Sequence, residues 1–141
     1  MIREMTINDY DAIYALWKAT PSLKVWDFED SKEQIERFLL RNPGTSFVAE
    51  EDGQIVGTIL CGQDGRRGCI YHMCVAEKYR QRKIGTRLVK SSLAVLEREQ
   101  IHNVYLVAFR ENAVGNAFWS SLGWEMRADI NNYNIQLKSG K

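Results

Sequence analysis

The sequence predicts an α/β domain in which a mixed, mainly antiparallel sheet is flanked by helices on both faces. Two observations carry that expectation. Short apolar runs of strand length alternate with segments of helical period. The turn pairs Asp52-Gly53 and Asp64-Gly65 separate consecutive strand runs, as hairpin turns do.

Each element can be justified in order. Met1 to Met5 reads as a short strand. Thr6 with Asp9 three positions later is a capping-box pattern, and the helix behind it sets Ile13, Leu16 and Trp17 on one face until Pro21 stops it. Ser31 to Gln34 offers a second cap for a helix carrying Ile35, Phe38 and Leu39, which Asn42-Pro43-Gly44 ends. Phe47 to Glu50 and Ile55 to Leu60 are strands joined at Asp52-Gly53, and a third strand runs from Cys69 to Val75. A long helix continues to about Arg98. Asn103 to Phe109 reads as a buried strand, and Ala113 to Leu122 as a helix closed by Gly123. Trp124 to Asp129 and Tyr133 to Leu137 complete the chain as an expected hairpin, giving the order β-α-α-β-β-β-α-β-α-β-β.

Composition bounds the function. A chain of 141 residues without repeats, linkers or low-complexity tracts is expected to form one domain over 1–141. Its net charge of +1 speaks against a dedicated nucleic-acid binder. Cys61, Cys69 and Cys74 form no C-x-x-C pair, and with His72 and His102 no metal-ligand spacing arises, so no metal is expected. Scattered free thiols, with neither a leader nor a membrane-length apolar run, suggest a cytoplasmic protein without a membrane partner.

The segment Val75 to Thr86 carries the chemistry. It passes from an apolar strand through a basic loop into a helix start, where free backbone N–H groups and the positive helix end attract anions. Arg80, Arg82 and Lys83 add charge, and Gly85 removes the Cβ that would hold a phosphate off the backbone. The combination suits a diphosphate.

This loop resembles that of the GNAT superfamily of acyl-CoA-dependent N-acetyltransferases, whose pattern is R/Q-x-x-G-x-G/A. Arg80 and Gly85 fill its first and last positions, while Lys83 stands where the middle glycine usually does. That place demands a backbone angle lysine tolerates less well than glycine. Asn112 to Trp124 is similar to the family segment N-x-x-A-x-x-x-Y-x-x-x-G-F, with Gly115 in place of an alanine and Trp119 in place of the tyrosine. The element order agrees over essentially the whole chain.

The resemblance implies acetyl-CoA as donor cosubstrate and a primary amine as acceptor, on a small molecule, a peptide N-terminus or a lysine. The diphosphate is expected on the amides of Gln81, Arg82, Lys83, Ile84, Gly85 and Thr86, helped by Arg80. The pantetheine arm is expected along Met73, Cys74 and Val75 like an added strand, with Asn112 fixing one of its amides or serving as a plain helix cap. An N–H of Cys74 or Val75 would stabilise charge on the thioester oxygen. Trp119 occupies the position of the tyrosine acid, and indole is no proton donor of that kind.

No certain general base emerges. Glu50 is the best acidic candidate, and Tyr71 or Tyr133 could replace the missing acid. Strand alternation places His72 on the face opposite Tyr71, which suggests a structural histidine. Trp26, Asp27 and Asp129 are candidates for binding a cationic acceptor, although Trp26 also suits a plug over Trp17. An acetyl-CoA-binding domain with little or no activity is the alternative reading. Monomer and homodimer are both open, since the last hairpin would present an edge to a second subunit.

Overall fold

The computed structural model describes residues 1–137, which fall into two compact units, Met1–Val107 and a second beginning at Ala108. The first unit holds one five-stranded sheet, of β1 (Ile2–Glu4), β2 (Phe47–Glu51), β3 (Gln54–Gln63), β4 (Gly68–Val75) and β5 (Val104–Leu106), adjacent in that order. Pairing is antiparallel from β1 to β4 and parallel between β4 and β5. The single parallel pair requires the long crossover that α3 (Ile84–Arg98) supplies. Between β2 and β3, Asp52 and Gly53 both take positive φ (52° and 75°), the geometry that a two-residue hairpin turn of this twist needs.

The two faces can be read from neighbouring residues of β3. Thr58 Oγ1 accepts a hydrogen bond from Trp17 Nε1 (3.0 Å) of α1 (Tyr10–Lys18), while a Cβ on Gly57 would lie 3.1 Å from Leu88 Cδ1 of α3. Successive strand residues point to opposite faces, so α1 and α3 cover opposite sides of the sheet. A Cβ on Gly62, in phase with Thr58, would meet Phe38 and Asn42, which places α2 (Lys32–Arg41) beside α1.

Met5, Ile13, Trp17, Ile35, Val48, Leu60 and Cys74 form the core under the first two helices. On the other side α3 buries Ile84, Leu88, Val89, Ser92 and Leu96. Both expected caps form: Asp9 Oδ2 accepts the Thr6 N–H (2.8 Å), and Ser31 Oγ accepts that of Gln34 (3.3 Å).

In the second unit α4 (Ala113–Ser121) starts at Asn112, whose Oδ1 accepts the Gly115 N–H at 2.9 Å. A Cβ at 115 would strike the Asn112 carboxamide as it is placed here. Gly123 closes the helix with φ of 90°.

The expected final hairpin does not form: Trp124 to Leu137 contains no strand. Its apolar side chains bury little, Met126, Tyr133, Ile135 and Leu137 being 78–89% exposed, and Arg127 bonds locally to Asp129 at 2.8 Å. Alternating apolar residues favour a strand only where one face has something to pack against.

Candidate active site

The loop before α3 has the backbone an anion site needs. After the turn Glu77–Tyr79, Gln81 (φ 68°) and Lys83 (φ 63°, ψ 17°) both take the left-handed conformation, and Lys83 is the N-cap of α3. Alternating left-handed residues turn successive N–H groups toward a common side. The first hydrogen bond into the helix is Arg87 N–H to Lys83 O (3.0 Å), and the N–H groups of Gln81 through Thr86 find no acceptor among the described residues. The first turn contains no acidic residue. Arg82, Lys83 and Arg87 form no ion pair among the described residues. The Arg82 guanidinium lies 5.0 Å from the Tyr79 ring centroid, and Arg80 Nε donates to the Val75 carbonyl at 3.0 Å.

Beside this loop, β4 has no strand partner on its β5 side over its far half among the described residues. Its pairing with β5 covers only Gly68 to Ile70, opposite Val104 to Leu106, while β4 runs on to Val75. On the other side the ladder with β3 sets the phase. Ala76 N–H donates to Val56 O (2.8 Å), and Cys74 lies opposite Thr58 two residues back. Antiparallel ladders alternate, so Cys74 turns its backbone groups to β3, and Met73 and Val75 turn theirs to the open side. Cys74 therefore does not supply the expected free amide. Its side chain is 6% exposed with Sγ 3.7 Å from Thr58 Oγ1, and burial pushes its thiol pKa up. Val75 keeps an outward N–H.

A bulge changes which β4 side chains share a face. Ile59 pairs with Met73 and Cys61 with Ile70, so Tyr71 and His72 together oppose Leu60. The expectation that they face opposite ways is overturned: Tyr71 packs edge-on against Phe38 of α2 (5.7 Å) and His72 against Trp17 of α1 (4.6 Å). His72 is anchored, with Nε2 2.9 Å from Asp30 Oδ1. Tyr71 is half-exposed, and burial, then the neighbouring Cys69, raise its hydroxyl pKa, so it holds its proton at neutral pH.

Glu50 is in the wrong place for a base at this edge. It is the penultimate residue of β2, with β3 between it and β4, and its Oε1 is bound to Arg3 Nε (2.9 Å), which also grips both oxygens of Asp9. Trp26 is 49% exposed, with the Lys24 ammonium 4.9 Å from its ring centroid, and so does not plug the core over Trp17; Asp27 is exposed beside it. In the second unit Trp119 packs between Phe118 (5.0 Å) and Trp124 (4.8 Å). There Asp129 is engaged by Arg127, and Tyr133 is 89% exposed.

A helix start with unpartnered N–H groups lies beside a strand with one unpaired edge, chemistry that suits an anionic, amide-rich ligand. The sequence profile of the Acetyltransferase (GNAT) family matches residues 10–124, and the chain belongs to that family. It is an acetyl-CoA-dependent N-acetyltransferase.

Among similar proteins, an acetyltransferase of Sodalis glossinidius is 30% identical over 129 residues, spanning 92% of this chain and 89% of that protein. One from Pectobacterium atrosepticum is 30% identical over 124 residues, spanning 88% and 86%. The fold is similar to PaiA N-acetyltransferase of Thermoplasma acidophilum, solved with coenzyme A (TM-score 0.78, 20% identity, 90% of each chain covered). It is also similar to AAC(6')-Iy, solved with a bisubstrate analogue (TM-score 0.77, 17% identity, 97% and 98% covered).

Proposed function

We propose that the whole chain acts as one N-acetyltransferase domain which carries the acetyl group of acetyl-CoA to a primary amine by direct attack in a ternary complex. The observation that carries the reading is the run of N–H groups from Gln81 to Thr86 without acceptors, set among Arg82, Lys83 and Arg87. These amides hold the diphosphate, with Ile84 and Gly85 opening the helix and Arg80 bracing the loop on Val75. The pantetheine arm runs along the outward groups of Met73 and ends at Val75, whose carbonyl is taken by Arg80 and whose N–H remains for the thioester. Asn112 and Trp119 belong to the same donor site on the strength of the family resemblance.

Acetyl-CoA supplies an activated acetyl thioester. The Val75 N–H meets the charge that gathers on its carbonyl oxygen, the role open to an outward amide there. The acceptor must shed a proton first, which for a lysine-like amine at pH 7 costs about 4–5 kcal/mol. Glu50 is engaged by Arg3, so water at the open edge takes that proton, and the phenol of Tyr71 or Tyr133 donates one to the leaving thiolate. Trp26, Asp27 and Asp129 are our candidates for the cationic acceptor. The protein acts in the cytoplasm, as its free cysteines suit. It acts as a monomer or homodimer, without nucleic acid or membrane as partner.

The test is Gly85→Glu, which sets a carboxylate against the diphosphate. Calorimetric titration with acetyl-CoA should lose a measurable Kd; an affinity within threefold of wild type would remove the loop assignment. Thiol release across a panel of small amines and peptides then reads turnover. Tight binding without turnover on every amine would favour the silent acetyl-CoA-binding domain, the reading that Trp119 motivates.

A further inference from the structure

Asp30 lies at the end of the loop that joins α1 to α2 and is 4% exposed. Its Oδ2 accepts the Trp26 N–H (2.9 Å), its own N–H donates to the Trp26 carbonyl (3.1 Å), and its carbonyl accepts from Tyr10 Oη (2.7 Å). The turn Trp26–Asp30 is therefore closed on itself and tied to α1. Its remaining carboxylate oxygen, Oδ1, meets His72 Nε2 at 2.9 Å. A carboxylate oxygen accepts, so the imidazole N–H at Nε2 is the donor in this contact.

On the other side His72 belongs to the β4 bulge. Trp17 packs against its ring, and its carbonyl accepts from Thr58 Oγ1 at 3.4 Å. Met73, whose backbone groups line the open edge, is the next residue.

We infer that His72 and Asp30 are positioning residues: they latch the Trp26–Asp30 turn to the β4 bulge and so register the acceptor loop against the strand edge that takes the donor. The inference rests on the reading that Trp26 and Asp27 belong to the acceptor site. It explains why the bulge matters. Without the extra residue the His72 side chain would leave the face that α1 and the loop occupy, and Asp30 would keep a buried carboxylate oxygen without a donor. Such an oxygen carries a desolvation penalty that the imidazole N–H removes. Trp26 and Asp27 thus take their place from a hydrogen bond to the donor strand.

The test uses the full chain with acetyl-CoA present. His72→Phe keeps an aromatic ring against Trp17 and removes the donor, whereas His72→Gln places an amide N–H near the Nε2 position. Hydrogen exchange at the Trp26 and Asp30 amides should quicken at least tenfold in His72→Phe and stay within threefold of wild type in His72→Gln. The Kd for acetyl-CoA should stay within threefold in both. In wild type, His72 should give a slowly exchanging Nε2–H resonance, with the exposed His102 as internal reference.

Exchange within twofold of wild type in His72→Phe overturns the latch. So does an acceleration spread evenly over the sheet, which would make His72 a core residue and nothing more. A quickened turn with unchanged KM for the best amine of the panel would leave the latch standing and remove Trp26 and Asp27 from the acceptor site.

Discussion

Lys83 is where this chain departs from its family's loop pattern, and the structure makes the departure measurable. It sits at φ 63° and ψ 17°, in the left-handed region, as the N-cap of α3. A residue with a Cβ gives up about 1–2 kcal/mol there. Glycine would recover that amount but lose about 0.5–1 kcal/mol through its greater freedom in the unfolded chain. Lys83→Gly should therefore stabilise the protein by about 0.5–1 kcal/mol, or roughly 2–5 °C in Tm at this size.

The same change removes a cation from the anion site. An exposed ammonium contributes up to about 1 kcal/mol to such a contact, so acetyl-CoA should bind roughly 2- to 5-fold more weakly, and less so at high salt. Lys83→Ala separates the two effects, because it loses the charge and keeps the Cβ. Its affinity should fall like that of the glycine variant while its Tm stays within about 2 °C of wild type. Thermal melts of the ligand-free protein and calorimetric titrations with acetyl-CoA read both quantities. If Lys83→Gly lowers Tm, or if Lys83→Ala raises it equally, the reasoning from backbone strain fails.

Three further outcomes follow from the geometry. Glu50→Gln should leave kcat/KM within threefold, since Glu50 is bound to Arg3 two strands from the β4 edge; a hundredfold loss would restore it as the base. Gly62→Ala places a methyl 2.8 Å from Phe38 Cζ and 2.9 Å from Asn42 Nδ2, and should cost about 1–3 kcal/mol by urea denaturation. Asp9 is raised by burial but drawn down further by Arg3 and the Thr6 N–H, so its pKa ends below the ordinary value. Its contribution is thus complete above the unfolded-state pKa near 4 and is lost as pH falls through the folded one. The stability gap between wild type and Asp9→Asn should shrink below about pH 4, and a gap that widens with acid would contradict this.

Most of the fold was legible because its signals are local. Both caps, the Asp52-Gly53 turn, the end of α3 and the Gly123 stop depend on residues a few positions apart, and each formed where the pattern placed it. The helix start after the basic loop was legible for the same reason, down to the left-handed backbone at Lys83. What escaped depends on long-range pairing. The parity of Tyr71 and His72 is set by an extra residue opposite Leu60, which no local pattern announces. Glu50 looked free because its partners, Arg3 and through it Asp9, lie more than forty residues away in sequence. The last hairpin failed as a prediction because alternation alone cannot say whether an apolar face finds cover.

The β4 bulge has a consequence for how this strand tolerates change. Upstream of it, Gly68 to Ile70 keeps the counting frame that pairs with β5; downstream, Met73 to Val75 keeps the frame that turns the backbone groups of Met73 and Val75 away from β3, where we propose the cosubstrate lies. One strand thus serves two masters that need opposite parity, and the spare residue at 71–72 reconciles them. Deleting either residue would restore a regular ladder, yet it would force one of the two frames to turn over. The strand should therefore accept many side-chain replacements more readily than it accepts the loss of a single position.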